Sequence, residues 1–216
     1  MKKHLAFLFA ALAVGLANIR AADERAWTPM FNGKDLAGWK SNEETAGVFT
    51  VADGTLKVSG GRAHLFYAGA DGRAEFKNFE FKAKVMTTQG ANSGIYIHTA
   101  FQEKGWPSKG YECQVNTSQS DPKKTGGLYA VQDVMNIAPS KDGEWCDYYI
   151  KVDGRHITIQ INGKTTVDWN EPADWDPAKT LKDMPGRKLS AGTFALQGHD
   201  PKSTVFYKDI FVRQLP

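Results

Sequence analysis

The sequence predicts an all-β fold, an antiparallel two-sheet β-sandwich of the jelly-roll kind. Three observations predict it. Apolar and polar residues alternate in many short runs, the spacing typical of helices is almost absent after residue 22, and the pair Asn162-Gly163 separates two such runs. Asn-Gly between alternating runs is the strongest short-range signal for a β-hairpin. Because strands do not alternate with helical segments, we do not expect a parallel sheet.

The strand predictions rest on runs in which every second residue is apolar: 54–60, 79–87, 147–154, 156–169 and 203–215. In the second run, Phe79, Phe81 and Val85 alternate with charged residues. One face of each strand is therefore predicted to pack in a core while the other faces solvent. Many short strands at this spacing are typical of sandwiches and jelly rolls.

The N-terminus has the features of a secretory signal peptide. Lys2 and Lys3 precede an apolar run over residues 5–17, and small residues follow it. We therefore predict a signal peptide over residues 1–22 and a single mature domain over residues 23–216. The apolar run is too short to span a membrane comfortably, and no Cys follows it that could carry a lipid. The expectation is an exported protein, periplasmic or extracellular, with no membrane anchor after cleavage.

The net charge argues against two classes of partner. The chain carries 27 Lys and Arg residues against 24 Asp and Glu residues. Cleavage would remove Lys2, Lys3 and Arg20, so the mature domain would have as many cationic as anionic side chains. A neutral domain gives no support for binding to nucleic acid or to an anionic membrane surface.

Two cysteines, Cys113 and Cys146, flank strand-like sequence. Export would permit a disulfide, and pairing would require the two strands to be neighbours. We favour two separate buried thiols and leave the disulfide open. The Cys-x-x-Cys and Cys/His spacings of zinc sites are absent from the sequence.

Two long segments, 116–145 and 170–192, do not have the pattern of strands, apart from a short strand predicted at 127–131. Loops of this length in a compact domain are usually either disordered or functional. Trp145 borders the first segment and Trp175 lies in the second, and aromatic residues are not typical of flexible linkers. Both segments are predicted to form the rim of a binding surface.

Three strands carry polar side chains on the face opposite their apolar residues. In residues 92–98, for example, Ile95 and Ile97 lie on the face that is predicted to pack in the core. Because successive strand residues point to opposite faces, Tyr96 lies on the other face. The same parity selects a set that we call the polar floor: Asn92, Tyr96, His98, Glu112, Gln114, Gln197 and His199. A face that merely meets water would carry more Lys, Thr and Ser, so two histidines, an acid and three amides favour a functional site. His64 has an ambiguous pattern, and we favour a structural role for it.

The polar floor is compatible with more than one chemistry. Glu112 is its one clear acid, whereas glycosidases normally use a pair of carboxyl groups. Serine hydrolysis is not expected, because no Gly-x-Ser-x-Gly elbow exists. His98, Glu112 and His199 could bind a divalent metal. Alternatively, they could supply a base and an acid for proton abstraction beside a carbonyl, with the amides and Tyr96 holding an enolate oxygen. The residues leave both alternatives open.

Several motifs occur in a specific order along the chain, among them "GANSGIYIH", "GYECQV", "TGGLYAV" and "LQGHDPKSTVFYKDIFV". With "FNGKDLAGWK" and "GEWCDYYIKVDGRHITIQINGKTTVD", this set resembles the 3-keto-disaccharide hydrolase domain family from about Trp27 to Leu215. The resemblance implies a concanavalin A-like jelly roll that binds its ligand on the concave sheet, and export, usually to the periplasm. It also implies a small-molecule glycoside or oligosaccharide as substrate, previously oxidised to a ketone at C3. A base removes the acidified C2 proton, the aglycone leaves from C1, and water then adds.

The resemblance implies roles for the polar residues. His98 or His199 would be the base, with Glu112 orienting it or holding sugar hydroxyls. The amides Asn92, Gln114 and Gln197 would bind hydroxyls or the developing oxyanion, and Tyr129 and Trp145 would shape the aglycone side. Trp145 could instead plug the core. Cys146 departs from the Asn that the resemblance implies after "GEW", which argues against a polar role at this position.

Two questions stay open at this stage. No cofactor is certain, although a divalent metal remains an alternative. The rival to an enzyme is a non-catalytic carbohydrate-binding module, which would use the same amides and aromatic residues. Binding would tolerate loss of the histidines, whereas catalysis would not.

Overall fold

Nearly all regular structure in residues 26–42 and 44–216 is β-strand. The computed structural model describes residues 26–42 and 44–216, so the predicted signal peptide over residues 1–22 lies outside the described residues. The strands are β1 (Thr28–Pro29), β2 (Trp39–Ser41), β3 (Phe49–Ala52), β4 (Thr55–Ser59), β5 (Ala63–Tyr67), β6 (Phe79–Thr87), β7 (Asn92–Thr99), β8 (Tyr111–Asn116), β9 (Lys123–Leu128), β10 (Gln132–Met135), β11 (Cys146–Asp153), β12 (His156–Ile161), β13 (Lys164–Asn170), β14 (Thr193–Gly198) and β15 (Thr204–Gln214). A short helix, α1 (Pro177–Thr180), lies between β13 and β14. Within these residues, no helix has the length and apolar character needed to cross a membrane.

The strands form two sheets. The first sheet has the order β13-β12-β11-β6-β15-β4-β3, with β1 also paired to β15, and the second has the order β10-β9-β8-β7-β14-β5-β2. The paired strands run antiparallel throughout. Strands that are far apart in sequence are neighbours, as β6 and β15 are, which is typical of jelly rolls. The predicted antiparallel two-sheet sandwich is confirmed.

The core lies between the two sheets and follows the predicted alternation. In β6, Phe79, Phe81 and Val85 are buried. Ile150 of β11 lies opposite Phe81 on one side and opposite Ile159 of β12 on the other. Fully burying a side chain of this size contributes about 1.5–3 kcal/mol. Repetition of such pairs along the strands holds the sandwich together.

The predicted hairpin turn joins β12 to β13. Asn162 and Gly163 both have positive φ angles, of 52° and 75°. A type I′ turn requires positive φ at both central residues, and Asn-Gly adopts this conformation with little strain. The Asn162 side-chain oxygen also accepts a hydrogen bond from the Asp147 N–H of β11 (2.9 Å). This bond links the turn to β11, which neighbours β12 in the sheet.

The central strands of the second sheet are buried on both faces. Every residue of β7 and of β8 is buried, although only the inner face of these strands packs in the core. On their outer face lie residues 106–108 and 183–187, which contain no regular structure. A ligand can therefore be enclosed between the second sheet and these two segments.

The segment 116–145 contains more strand than predicted. It forms β9 and β10, where a single short strand was expected at 127–131. The difference arises because Gly126 and Gly127 in β9 have no side chains that could show an alternating pattern. β9 ends at Leu128, and Tyr129 begins the turn into β10.

Cys113 and Cys146 are both free and buried. Cys113 lies in β8 of the second sheet and Cys146 in β11 of the first, so their strands are not neighbours. Burial raises the pKa of Cys146 to about 11, which keeps this thiol protonated. The structure agrees with two separate buried thiols.

Candidate functional site

A cavity of about 590 Å³ opens on the outer face of the second sheet. Residues 106–108 and 183–187 line it, together with six of the seven side chains predicted for the polar floor: Asn92, Tyr96, Glu112, Gln114, Gln197 and His199. The six predicted side chains come together because β8, β7 and β14 are direct neighbours in the sheet. Tyr96 of β7 lies opposite Glu112 on one side and Ala195 on the other. Period-two parity therefore identified the side chains that the strands of the sheet contribute to this cavity.

Glu112 is held at both carboxylate oxygens. Its Oε2 accepts hydrogen bonds from the Tyr96 hydroxyl (2.8 Å) and from Nη2 of Arg187 (2.8 Å). Its Oε1 accepts one from Nε2 of Gln197 (3.0 Å). Gly94 leaves the space for this carboxylate, since a Cβ atom there would lie 2.6 Å from Oε1. A carboxylate with both oxygens engaged suits a positioning role better than that of a base.

Arg187 was not among the predicted site residues. It forms an ion pair with Glu112 in which both side chains are less than a tenth exposed. Burial opposes the positive charge, but Glu112 and the Tyr96 hydroxyl outweigh burial and raise the pKa of Arg187. Burial, followed by the Glu112 charge, raises the pKa of Tyr96 well above its usual value, so its hydroxyl remains a donor. The two buried charges cancel each other at the floor of the cavity.

Tertiary contacts fix the segment that carries Arg187. The Trp175 Nε1–H donates a hydrogen bond to the Arg187 carbonyl oxygen (2.7 Å). The buried Glu171 carboxylate accepts one from the Leu189 N–H (2.7 Å). Trp175 therefore holds the loop in position and does not line the cavity. These contacts follow no periodic pattern in the sequence. The alternation of apolar and polar residues therefore could not predict Arg187 as a site residue.

His199 follows β14 and shares the face of Gln197. Its Nδ1 lies 2.9 Å from Oδ2 of Asp200, and the same carboxylate accepts hydrogen bonds from the Ser203 hydroxyl (2.7 Å) and the Lys202 N–H (2.9 Å). Burial acts to raise the pKa of Asp200, but these hydrogen bonds outweigh it and lower the pKa. An ionised Asp200 favours the proton of a neutral His199 on Nδ1 and leaves Nε2 as the basic nitrogen.

Three amides of the polar floor have carbonyl oxygens without a hydrogen-bond partner among the described residues. They are Oδ1 of Asn92 and the Oε1 atoms of Gln114 and Gln197, and all are buried. The Nε2 of Gln197 is engaged by Glu112 and by the Tyr96 hydroxyl (3.1 Å), which fixes the direction of its free oxygen. A buried unsatisfied polar group costs about 1–3 kcal/mol. A ligand with several hydroxyl groups would satisfy these acceptors.

The prediction that His98 shares the face of Tyr96 is wrong. His98 has a φ angle of 54°, next to an irregularity in the pairing of β7 with β14. A left-handed residue interrupts the two-residue alternation of a strand. The ring consequently packs edge-on against Phe79 of the core, with 5.6 Å between ring centres.

Both ring nitrogens of His98 are engaged away from the cavity. Nε2 lies 2.9 Å from the Lys77 carbonyl oxygen, and Nδ1 accepts a hydrogen bond from the Ser190 N–H (3.2 Å). Burial lowers the pKa of His98 to about 4, despite the hydrogen bond to Lys77. These contacts give the imidazole a structural environment between the strand end and the loop before β14.

Tyr129 and Trp145, both predicted on the aglycone side, have different positions. Tyr129 lines the cavity, and its hydroxyl lies 3.3 Å from Oδ2 of Asp121. Trp145 is half-buried and packs under the Lys208 ammonium of the first sheet, 4.2 Å from the ring centre. Because the adjacent Cys146 points into the core, alternation turns Trp145 outward. Trp145 is therefore neither a cavity residue nor a core plug.

Trp106 adds an aromatic wall that the sequence pattern did not predict. The residue is 43% exposed, and its ring centre lies 5.4 Å from that of His199 and 5.6 Å from that of His64. His64 in turn packs edge-on against Tyr96, and burial lowers the pKa of His64 to about 4. An exposed indole next to His199 offers an apolar surface to the C–H groups of a sugar.

The predicted set of metal ligands does not converge. His98 lies outside the cavity, and both oxygens of Glu112 are engaged by other side chains. In residues 26–42 and 44–216, no group of three or more His, Cys, Asp or Glu side chains is arranged to hold a metal ion. These residues do not fit a divalent metal.

Solved structures with the same fold include a candidate glycosyl hydrolase, a carbohydrate-binding module and a domain with bound carbohydrate. A candidate glycosyl hydrolase from Parabacteroides distasonis is similar over 88% of this chain and 94% of its own, with a TM-score of 0.74 and 23% identity. The carbohydrate-binding module CBM66 from Bacillus subtilis is similar over 82% of this chain and 96% of its own, with a TM-score of 0.56 and 11% identity. The VIP36 exoplasmic/lumenal domain, in a Ca²⁺- and Man3GlcNAc-bound form, is similar over 88% and 90%, with a TM-score of 0.57 and 9% identity. At these identities the likeness establishes the fold alone.

The sequence itself matches one family model. Residues 26–213 match the model described as a 3-keto-alpha-glucoside-1,2-lyase-like domain, which spans nearly all of the described residues. Comparison with curated proteins gave no match.

Proposed function

The chain belongs to the 3-keto-α-glucoside-1,2-lyase-like domain family, and we propose that it cleaves the glycosidic bond of sugars that carry a ketone at C3. Family membership makes it a carbohydrate-active protein, and the reaction is the proposal. One observation carries it: His199, paired with Asp200, lines a cavity whose buried amide oxygens have no partner among the described residues.

His199 is the base in this proposal. A ketone at C3 acidifies the neighbouring C2–H bond, so a neutral imidazole has sufficient basicity to remove that proton. The Asp200 carboxylate holds the proton of Nδ1 and stabilises the imidazolium that forms when Nε2 accepts the C2 proton. Of the two histidines considered from the sequence, His199 is supported because it lines the cavity, whereas His98 faces the core.

The electrons of the C2–H bond form a C2=C3 double bond, and the carbonyl electrons move onto oxygen to give an enolate. When the carbonyl re-forms, a C1=C2 double bond forms and the C1–O bond to the aglycone breaks. The departing oxygen takes the proton from the imidazolium, which restores His199. Water then adds its hydroxyl to C1 and its proton to C2, giving a free keto sugar.

This route requires no pair of catalytic carboxyl groups. Glycosidases that act on unmodified sugars use two, one of them protonated. Here Glu112 is engaged by Arg187, Tyr96 and Gln197, which leaves it unsuited to donate or accept a proton at the glycosidic oxygen. The site therefore favours elimination from a keto sugar over direct hydrolysis.

A non-catalytic carbohydrate-binding module is the second candidate. The unpartnered amide oxygens of Asn92, Gln114 and Gln197 and the exposed ring of Trp106 would serve binding as well as catalysis. The ordered His199–Asp200 pair favours the enzyme, because binding of sugar hydroxyls does not need a base. In either case we propose an exported protein, on the basis of the signal-peptide pattern in residues 1–22.

The test compares a 3-keto-glucoside with its parent glucoside, both carrying the same chromogenic aglycone. The proposal expects aglycone release from the ketone and none from the parent sugar. His199→Ala should reduce turnover by roughly 10²–10⁴-fold, the usual contribution of a general base. Binding of both sugars without release from either would support the binding module.

A further inference from the structure

Two guanidinium nitrogens of Arg187 have no hydrogen-bond partner among the described residues. Nη2 donates to Glu112, but Nε and Nη1 are buried and have no hydrogen-bond acceptor in the described part of the chain. Arg187 also lines the cavity. Hydrogen bonds to charged groups are stronger than neutral ones, and leaving charged donors unsatisfied is correspondingly costly. These two nitrogens can therefore donate hydrogen bonds to an acceptor on a bound ligand.

The local charge restricts the kind of acceptor. The single positive charge of Arg187 is already balanced by Glu112, and Asp121 and Asp183 also line the cavity. A ligand carboxylate would bring a further anion into a buried site without an unpaired cation. A neutral carbonyl oxygen accepts hydrogen bonds without adding charge. The site therefore favours a ketone over the carboxylate of an acidic sugar.

The amide oxygens and Arg187 suit different groups of the ligand. The free oxygens of Asn92, Gln114 and Gln197 can only accept hydrogen bonds, so they select the hydroxyl groups of a sugar. A ketone oxygen can only accept, so it needs a donor. Arg187 supplies buried N–H groups that are not yet engaged, on a guanidinium held in place by Glu112.

We propose that Arg187 binds the C3 ketone oxygen and stabilises the enolate that forms there, which makes it a catalytic residue of this site. This inference rests on the function proposed above. As His199 removes the C2 proton, negative charge moves onto the C3 oxygen, and the N–H···O hydrogen bonds from Arg187 strengthen. Glu112 keeps the guanidinium in place and compensates its charge before the enolate forms. A fixed donor directed at developing charge is an effective electrostatic catalyst.

The test measures recognition of the ketone separately from cleavage. In a His199→Ala background, in which the base is absent, calorimetry gives the affinities for the 3-keto-glucoside and the parent glucoside. The preference for the ketone should be at least about 10-fold, as a hydrogen bond to a charged group contributes roughly that much. Adding Arg187→Met with Glu112→Gln removes both buried charges together, and the preference should fall to within about 3-fold of unity.

A matched control removes a second ion pair of the same kind. Arg213 and Glu80 pair on the first sheet, so Arg213→Met with Glu80→Gln should leave the preference unchanged. If the Arg187 and Glu112 double variant does not fold, Arg187→Lys is measured instead. Lysine keeps the positive charge but cannot reproduce the planar set of donors. This variant should also lose most of the preference.

Three results separate the possibilities. An unchanged ketone preference in the Arg187 variants would overturn the inference, even if the wild-type protein cleaves the 3-keto-glucoside. Arg187-dependent binding that favours a glucuronide over the 3-keto-glucoside would overturn it as well, in favour of a carboxylate. A wild-type protein that does not cleave the 3-keto-glucoside would overturn the proposed function, whatever Arg187 does.

Discussion

Gly94 and Glu112 fit together across two neighbouring strands: a Cβ atom on Gly94 would lie 2.6 Å from the Oε1 atom of Glu112. The glycine in "NSGIY" is thus required by the position of a side chain on β8. Without this space, Glu112 could not keep the hydrogen bonds that link Tyr96, Gln197 and Arg187. The arrangement of the site therefore depends on Gly94 having no side chain.

Gly94→Ala should disorganise the site. The added methyl group must displace Glu112, and overpacking of this kind costs about 1–3 kcal/mol of stability. We expect a lower melting temperature. We also expect sugar affinity to fall roughly 10-fold, because the displaced Glu112 carboxylate no longer holds Arg187 and Gln197 in place by hydrogen bonds to its charge. Gly72→Ala is the control: its φ of 76° makes it strained, but its Cβ would meet nothing within 4 Å. Gly72→Ala should therefore keep full affinity, and equal affinities in the two variants would contradict this role of Gly94.

Asp200→Asn should reduce turnover without weakening binding. An amide in place of the carboxylate no longer favours the tautomer of His199 that leaves Nε2 basic. We expect kcat on the 3-keto-glucoside to fall at least roughly 10-fold, with KM changed by less than about 3-fold. Steady-state kinetics measure both quantities. A rise in KM at constant kcat would instead assign Asp200 to substrate binding.

Tyr129 and Trp145 should behave differently, although the sequence suggested the same role for both. Tyr129→Ala removes part of the cavity wall and should weaken sugar binding by about 3- to 10-fold, the range expected for one aromatic contact. Trp145→Ala removes a ring that packs under Lys208 on the first sheet and should leave affinity unchanged. Calorimetric titration of both variants decides the matter, and a loss of affinity in Trp145→Ala would contradict the observed arrangement.

Stability should fall in mild acid. Burial lowers the pKa of His64 and of His98 from 6.5 to about 4. Between pH 6.5 and pH 4 the unfolded chain binds protons that the folded imidazoles do not, so the free energy of unfolding decreases as the pH falls. The loss at pH 5 relative to pH 7 is about 2 kcal/mol for each histidine. Urea denaturation of His64→Phe should show a weaker pH dependence in this window than the wild type, and identical pH profiles would count against the buried neutral imidazole.

Much of the fold and of the site follows from local periodicity. Ile95 and Ile97 on one side of β7, with Tyr96 on the other, locate both the core and the polar floor. The alternation works because each strand has one face in the core, and the same rule applied to β8 and β14 yields Glu112 and Gln197. Asn162-Gly163 fixes the hairpin, because its backbone requirement is local.

Other parts of the site depend on contacts between distant segments, which no period encodes. Arg187 reaches Glu112 because Trp175 and Glu171 hold its loop against the second sheet. His98 leaves the polar floor because a left-handed backbone angle interrupts the strand at that residue. A histidine gives no signal for such an angle, unlike the glycine of a turn.

The central claim is that His199 removes a proton from C2 of a 3-keto sugar, and deuterium at C2 tests it most directly. A 3-keto-glucoside labelled at C2 is incubated with the wild-type protein and with His199→Ala, and NMR follows the label and the released aglycone together. We predict that the wild type loses the label to water during cleavage and that His199→Ala reduces both processes by roughly 10²–10⁴-fold. Aglycone release with the label retained at C2, or full release by His199→Ala, would contradict the claim.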